Sequence, residues 1–271
     1  MSDKELLYKL YWDEGKSLEQ IGREVGITPS GVMKRMNKYG IDRRPNVKHL
    51  YDDLRKIPLT SYQKNVVIGG VLGDSYLECS YKVGVRLRIK HCVKQKPYLL
   101  YKKDKLSNIF MSDVASIQQC RFGKNLFSEE IVSIVHPDLL YIYNIFYPDG
   151  KKVTPLDFYK YLNPVVLSIW FMDDGCFCTG KNVVTLRFST ESFSLEENKI
   201  LQKSMYDVFG IEMHISKHKH QYVLQTGKKS SIKTILKMVY SEVGDLFLTC
   251  KGGSSTTKRQ ALLFIKDDDI V

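Results

Sequence analysis

Across 271 residues there is no apolar run of the ~18 residues that a membrane-spanning helix needs. None of the six cysteines (Cys79, Cys92, Cys120, Cys176, Cys178, Cys250) sits in a Cys-x-x-Cys pair. That argues against a structural zinc site and leaves six thiols expected in the reduced state. No Ser-His-Asp arrangement is evident. The opening Met1-Ser2-Asp3-Lys4-Glu5 is charged and lacks the apolar centre of a secretory signal. The expected location is cytoplasmic, nucleoid-associated, or an organellar matrix, and not secreted.

Negative charge is also in short supply. Forty-one Lys and Arg oppose 30 Asp and Glu, giving a net charge of +11 at pH 7 and a pI near 9.2. A polyanionic partner follows, with nucleic acid the leading candidate; the alternative is a basic protein with no such ligand. Hydrophobic content of 43% is ample for a packed core, and the length allows one large domain or two smaller ones.

Residues 1–45 read as a helix-turn-helix domain of three helices. Ser2/Glu5 and Ser17/Gln20 have capping-box spacing, and Thr28-Pro29 is a good start for the third helix. Leu6, Leu7 and Leu10, then Leu18, Ile21 and Val25, then Val32 and Met36 supply apolar faces. Gly22 permits close helix approach and Gly26 suits the turn. Ser30, Gly31, Lys34, Arg35 and Lys38 would face outward, as on a recognition helix; a three-helix bundle that binds nothing has the same pattern. Residues 46–60 read as a basic linker. Just before it, Arg43 and Arg44 suit a minor groove or phosphates as well as they suit a solvated tether.

Two stretches 100 positions apart are alike: Val66-Val67-Ile68-Gly69-Gly70-Val71-Leu72-Gly73-Asp74 and Val166-Leu167-Ser168-Ile169-Trp170-Phe171-Met172-Asp173-Asp174. Each is an apolar run ending in a carboxylate, and each is followed by period-2 patterns. Val83, Val85, Leu87 and Ile89 alternate with Gly84, Arg86, Arg88 and Lys90. Val184, Leu186 and Phe188 alternate with Thr185, Arg187 and Ser189. A half-buried antiparallel sheet gives this pattern, and its cationic row matches phosphates and guanine edges or a plain solvated face. Tyr98–Phe110 reads as a helix with Lys102, Lys103 and Lys105 exposed. Leu195–Phe209 reads as a helix ended by Gly210, Ile211, Met213 and Ile215 as one face of a strand, and Ser231–Val243 as a further helix. The order helix, strands, helix, strands, helix thus occurs twice, in residues 61–154 and 155–255, before an acidic tail at 256–271. His214, His218 and His220 lack further ligands at zinc spacing and are read, with Lys217 and Lys219, as a groove-facing polar row.

On these residues the chain resembles the LAGLIDADG homing endonucleases of the single-chain, intron-encoded kind. Val67–Ser75 and Leu167–Gly175 occupy the nine places of the paired signature, with Asp74 and Asp174 at its acidic position, although neither copy spells it literally. Ser189-Thr190-Glu191-Ser192-Phe193 also fits, and the resemblance covers roughly residues 60 to 252. It implies an α+β fold: two pseudo-symmetric αββαββα half-domains forming a saddle of antiparallel sheets, beside the small all-α helix-turn-helix domain. The implied activity is a divalent-metal-dependent double-strand break in a long asymmetric DNA target, cut across a minor groove. It would promote mobility of a host intron or gene, and no splicing-domain motif points to an intein. The implied partner is double-stranded DNA, read by the sheets and by Arg86, Arg88, Lys90, Arg187, Lys217, His218 and Lys219. No membrane partner is expected, and one chain with two signatures is expected to act as a monomer. The alternatives are an RNA maturase that binds its host intron RNA and a transcriptional regulator that keeps the fold without catalysis.

In such a helix pair Gly69 and Gly73 share a face and would allow close contact, as would Ser168, while Ile169 replaces the signature's glycine. Packing the helices side by side would bring Asp74 and Asp174 together. Two close carboxylates call for a cation, and Mg2+ (or Mn2+) fits, with the backbone carbonyls of Gly73 and Asp173 as further ligands. The competing reading for the two aspartates is helix capping or ion pairing. The resemblance also implies one supporting lysine per half, Lys152 and Lys251, either of which could instead be a solvated side chain.

Overall fold

The computed structural model describes residues 2–14, 16–43, 47–80, 84–121, 124–179, 184–250 and 261. The chain forms two compact units, Met1–Asp53 and Leu54–Val271. In the first, α1 (Asp3–Tyr8) runs into a π-helical turn, Lys9–Asp13, and is followed by α2 (Leu18–Val25) and α3 (Pro29–Lys38). Ser2 and Ser17 each make the full capping box, and Thr28 caps α3 through the Gly31 N–H. Gly26 ends α2 in the left-handed conformation, at φ 70°. A Cβ on Gly22 would stand 2.6 Å from the Ile27 carbonyl oxygen, so the turn between α2 and α3 closes only over glycine.

Leu7, Leu10, Tyr11, Ile21, Val32, Met36 and Ile41 form this unit's core. The expected face included Leu6, which is exposed instead. Leu7, Leu10 and Tyr11 fall at i, i+3 and i+4, and this stripe leaves Leu6 outside. Ser30, Lys34, Arg35 and Lys38 are exposed as expected, and so is Arg43. Arg44 lies outside the described residues. Within the stretch read as a linker, Val47–Leu54 is helical (α4). Beyond it, the Leu59 N–H donates to Asp138 at 2.7 Å and Arg55 Nε to the Val135 carbonyl at 3.0 Å.

The second unit repeats one motif. Its first copy is α5 (Ser61–Leu72), β1 (Ser75–Ser80), β2 (Gly84–Cys92), α6 (Lys96–Lys105), β3 (Ala115–Arg121), β4 (Lys124–Val132) and α7 (Pro137–Phe146). The second is α8 (Pro164–Asp174), β5 (Gly175–Thr179), β6 (Val184–Phe188), α9 (Leu195–Phe209), β7 (His214–His218), β8 (Gln221–Thr226) and α10 (Lys229–Val243). A short α11 (Leu246–Cys250) follows. The sheets have the orders β1-β2-β4-β3 and β5-β6-β8-β7, with every neighbouring pair antiparallel. This is the α+β architecture that the two repeats predict.

The period-2 pattern sets the sheet faces. Val85, Leu87 and Ile89 are buried, and the cations between them face outward. In the second sheet Phe177, Leu186, Phe188 and Leu224 point into the core, where Trp170 and Phe171 of α8 pack on Phe188 with ring centroids 4.3 and 5.4 Å apart. Each such side chain contributes roughly 1.5–3 kcal/mol by burial. Gly210 ends α9 at φ 66°, as its position predicts. Two expected bounds move. The helix expected over Tyr98–Phe110 ends at Lys105, with Leu106 out of helical geometry. Ile211 and Met213 are buried, but β7 begins only at His214. No helix among the described residues is long and apolar enough to cross a membrane.

Candidate active site

The site is built on the seam between α5 and α8. From Val66 in α5 and Val166 in α8 onward the helices are apolar nearly all round and buried, as helices enclosed on every side must be. Thr60 caps α5 with a capping box, and Asn163 caps α8 by accepting from the Val165 and Val166 N–H groups. The seam is tight because α5 carries glycine where it meets α8. A Cβ on Gly69 would stand 2.7 Å from the Val166 carbonyl oxygen and 2.8 Å from Ile169 Cβ. A Cβ on Gly73 would stand 2.3 Å from Asp173 Cβ. Gly69 therefore meets Ile169 and Gly73 meets Asp173, which are the matched places of the two signatures. Asp74 and Asp174 each follow such a pair at the C-terminal end of their helix, where the helix dipole adds negative potential.

Asp173 lies directly in that field, and its side chain is fully buried. It is paired with Lys102 of α6, whose Nζ donates to Oδ1 at 2.6 Å and Oδ2 at 2.8 Å. The Asp74 N–H donates to the same carboxylate at 3.2 Å. His91 of β2 is buried between the two acids. Its Nδ1 is 3.4 Å from Asp74 Oδ2, without hydrogen-bond alignment, and its Nε2 is 3.8 Å from Asp173 Oδ1. Lys102 Nζ is 3.4 Å from His91 Nε2.

Lys152 serves the end of α5. Its Nζ donates to the carbonyls of Val71 at 3.0 Å and Leu72 at 3.3 Å, which satisfies acceptors a helix end leaves open. Burial holds this ammonium below the usual lysine range, while the carboxylates of Asp174, Asp173, Asp74 and Glu197 pull it back up. Its sequence-predicted counterpart, Lys251, lies outside the described residues.

The donor set suits a hard divalent cation in part. Ligand-capable atoms of Asp74, His91 and Asp173 lie within 4.8 Å of one another. Asp173, however, gives both oxygens to Lys102 and is buried, so the internal ammonium already neutralises it. The Asp74 side chain is 41% exposed, and Asp174 is half-buried. These two carboxylates are hard oxygen donors of the kind Mg2+ or Mn2+ takes. Asp173 was expected to contribute its backbone carbonyl, and its carboxylate pairs with Lys102. Among the described residues the row His214, His218 and His220 makes no comparable group.

Lys102 and His91 were missed from sequence. Lys102 was read as exposed with its lysine neighbours, and the structure buries it completely. Its spacing held the signal: Tyr98, Leu99 and Lys102 fall on one helical face, and all are buried. His91 continues the inward parity of Val85, Leu87 and Ile89 by one more step.

On the outward sheet face, Arg86, Arg88 and Lys90 stand on β2 and Arg187 on β6. Arg86 bonds to Glu78, Arg88 to Glu78 and Glu130, and Arg187 to Glu191. Lys217 and His218 are exposed on β7, and Lys219 forms the turn to β8 at φ 57°. Cys176 and Cys178 share a strand face, with sulfurs 3.2 Å apart.

The comparisons agree with this fold. A protein of Methanocaldococcus jannaschii named only as uncharacterized, MJ1098, is 28% identical over 232 residues, covering 80% of this chain and 82% of that protein. The cytochrome b mRNA maturase bI2 of Saccharomyces cerevisiae is 28% identical over 213 residues, which are 72% of this chain and 48% of the maturase. The chain thus spans about half the length of that relative. In fold it matches the homing endonuclease I-WcaI, solved bound to its DNA recognition sequence, with a TM-score of 0.69 at 20% identity, over 78% of this chain and 95% of that one. The model of the LAGLIDADG DNA endonuclease family matches residues 64–234, and the chain belongs to that family.

Proposed function

We propose that this protein is a site-specific DNA endonuclease that makes a metal-dependent double-strand break and so mobilises its host intron or gene. The observation that carries this reading is the pair Asp74 and Asp174, at matched ends of two helices packed through Gly69 and Gly73, with Lys152 beside them. Asp74 and Asp174 would hold Mg2+ or Mn2+, with the Gly73 and Asp173 carbonyls as further oxygens. A bound metal ion there supplies polarisation of the phosphate, an activated water and charge neutralisation at the leaving oxygen. Lys152 adds fixed positive charge at the same place, where developing negative charge on the phosphate is stabilised.

The outward cations Arg86, Arg88, Lys90, Arg187, Lys217 and Lys219, with His218, would meet DNA along the sheets. Ser30, Lys34 and Arg35 of α3, with Arg43, would add contacts from the N-terminal unit. The half-domains present different residues, which suits an asymmetric target and a chain acting as a monomer. The test is cleavage of DNA spanning the gene's own insertion junction, with Mg2+ or chelator, by the wild type and by Asp74→Asn and Asp174→Asn. One Mg2+-dependent cut lost in both variants is expected; full activity in either variant sinks the reading.

Similarity to the yeast maturase favours one alternative, a protein that binds its host intron RNA and assists splicing. Tighter binding to the structured intron than to any duplex DNA would select it.

A further inference from the structure

The outward face of the first sheet carries more order than a row of cations needs. Arg86 stands opposite Glu78 in the β1–β2 register. Its Nε donates to Glu78 Oε2, and its two terminal nitrogens have no partner among the described residues. Arg88 donates from Nε to the same Oε2 at 3.0 Å and from one terminal nitrogen to Glu130 Oε2 of β4 at 3.2 Å. One carboxylate thus ties two guanidinium groups by their inner nitrogens, and a second fixes one of them from the neighbouring strand. Glu130 is largely buried and Glu78 about one-third exposed. Both bonds to Glu78 use the same oxygen, and the arginines hold its carboxyl below the usual range.

Such carboxylates are costly on a surface meant only to attract phosphates, because each cancels a cation. They are useful on a surface that must discriminate. A guanidinium held by its Nε keeps its outer N–H edge in one plane, as the two acceptors of a guanine edge require. An arginine left untied would swing to the nearest phosphate on any duplex.

Resting on the DNA-binding reading above, we propose that Glu78, backed by Glu130, is a specificity-determining residue of the DNA face. It orients Arg86 and Arg88 toward guanines in the major groove and withholds them from phosphates of unmatched DNA.

The experiment uses the full chain, with a random-sequence duplex and a randomised duplex library as probes, in chelator so that nothing is cut. Glu78→Gln removes the charge, and Glu78→Asp keeps it while shortening the reach. Glu78→Gln should bind the random duplex more tightly than wild type, with a salt slope steeper by about one unit for a newly made phosphate contact. In the library selection it should lose the guanine preference, roughly 5- to 150-fold per base pair read. Glu78→Asp should lose the preference while keeping the weak random-duplex binding of the wild type, and this separates orientation from charge. Unchanged thermal melts exclude misfolding. Wild-type discrimination retained in both variants overturns the inference. A wild type that binds no duplex DNA overturns the DNA-binding reading and the inference with it.

Discussion

The two halves of the second unit share an element order and a sheet order and differ in almost everything they place at the seam. Where the first half has Gly69 and Gly73, the second has Ile169 and Asp173, and each pair meets across the helices. The first half alone supplies the cation and the imidazole, Lys102 and His91, that surround the second half's Asp173. The outer faces differ too. In the first sheet Arg86 and Arg88 are tied by acids. In the second, Arg187 stands in a register row with Cys176, Gln225 and His214, and its own acid is the nearby Glu191. Backbone pseudo-symmetry thus constrains where the helix ends meet and leaves the chemistry of each half to vary. Glycine on one side makes room for a larger residue on the other.

The largest way to break this asymmetry is to remove its cation. Lys102→Met leaves a buried, unpaired Asp173 at the end of α8 and should cost about 3–5 kcal/mol in chemical denaturation. Asp173→Asn strands the lysine instead and should cost a comparable amount. The double variant replaces the pair with neutral groups and should recover most of the loss. Single-variant costs that simply add would show that the two side chains do not depend on each other.

A smaller effect comes from the glycine side. A methyl group at Gly69 meets a backbone carbonyl at 2.7 Å and Ile169 Cβ at 2.8 Å. Gly69→Ala should therefore destabilise by about 1–3 kcal/mol through overpacking. In an Ile169→Gly background, which removes the side-chain obstacle including its Cβ and keeps the carbonyl, Gly69→Ala should cost less, read as partial recovery in thermal melts. No recovery would mean that the carbonyl contact alone sets the seam.

Much of this architecture is written locally. The capping boxes at Ser2 and Ser17, Gly210 after α9 and the alternation through β2 each fix a short element from adjacent residues, and these elements form as read. The two acidic helix ends were legible because the apolar runs repeat. The support around them was not read, since Lys102 and Asp173 are 71 positions apart and meet only when the halves pack. A lysine among lysines looks solvated until its helical phase is compared with that of Tyr98 and Leu99. Asp173 likewise looks like a neighbour of Asp174 until the close approach at Gly73 turns it into the seam.

The smallest effect tests a polar contact that also runs in one direction. Glu242 of α10, in the second half, accepts from Tyr62 of α5 and from Tyr101 of α6, the latter at 2.7 Å, and the two phenol oxygens are 3.2 Å apart. Burial, then the bond to Glu242, pushes the Tyr62 phenol up to about 12, and burial pushes Tyr101 higher still. Below the ordinary tyrosine value of about 10 the phenols are protonated in both folded and unfolded chains, and pH has no leverage through them. Between about 10 and about 12 the unfolded chain loses protons that the folded chain keeps, so stability must fall as pH rises through this window. Tyr62→Phe and Tyr101→Phe should each flatten that fall without changing the pH dependence below it, as read from denaturant midpoints across the alkaline range. Parallel curves for wild type and both variants would show that Glu242 does not join the halves through these phenols.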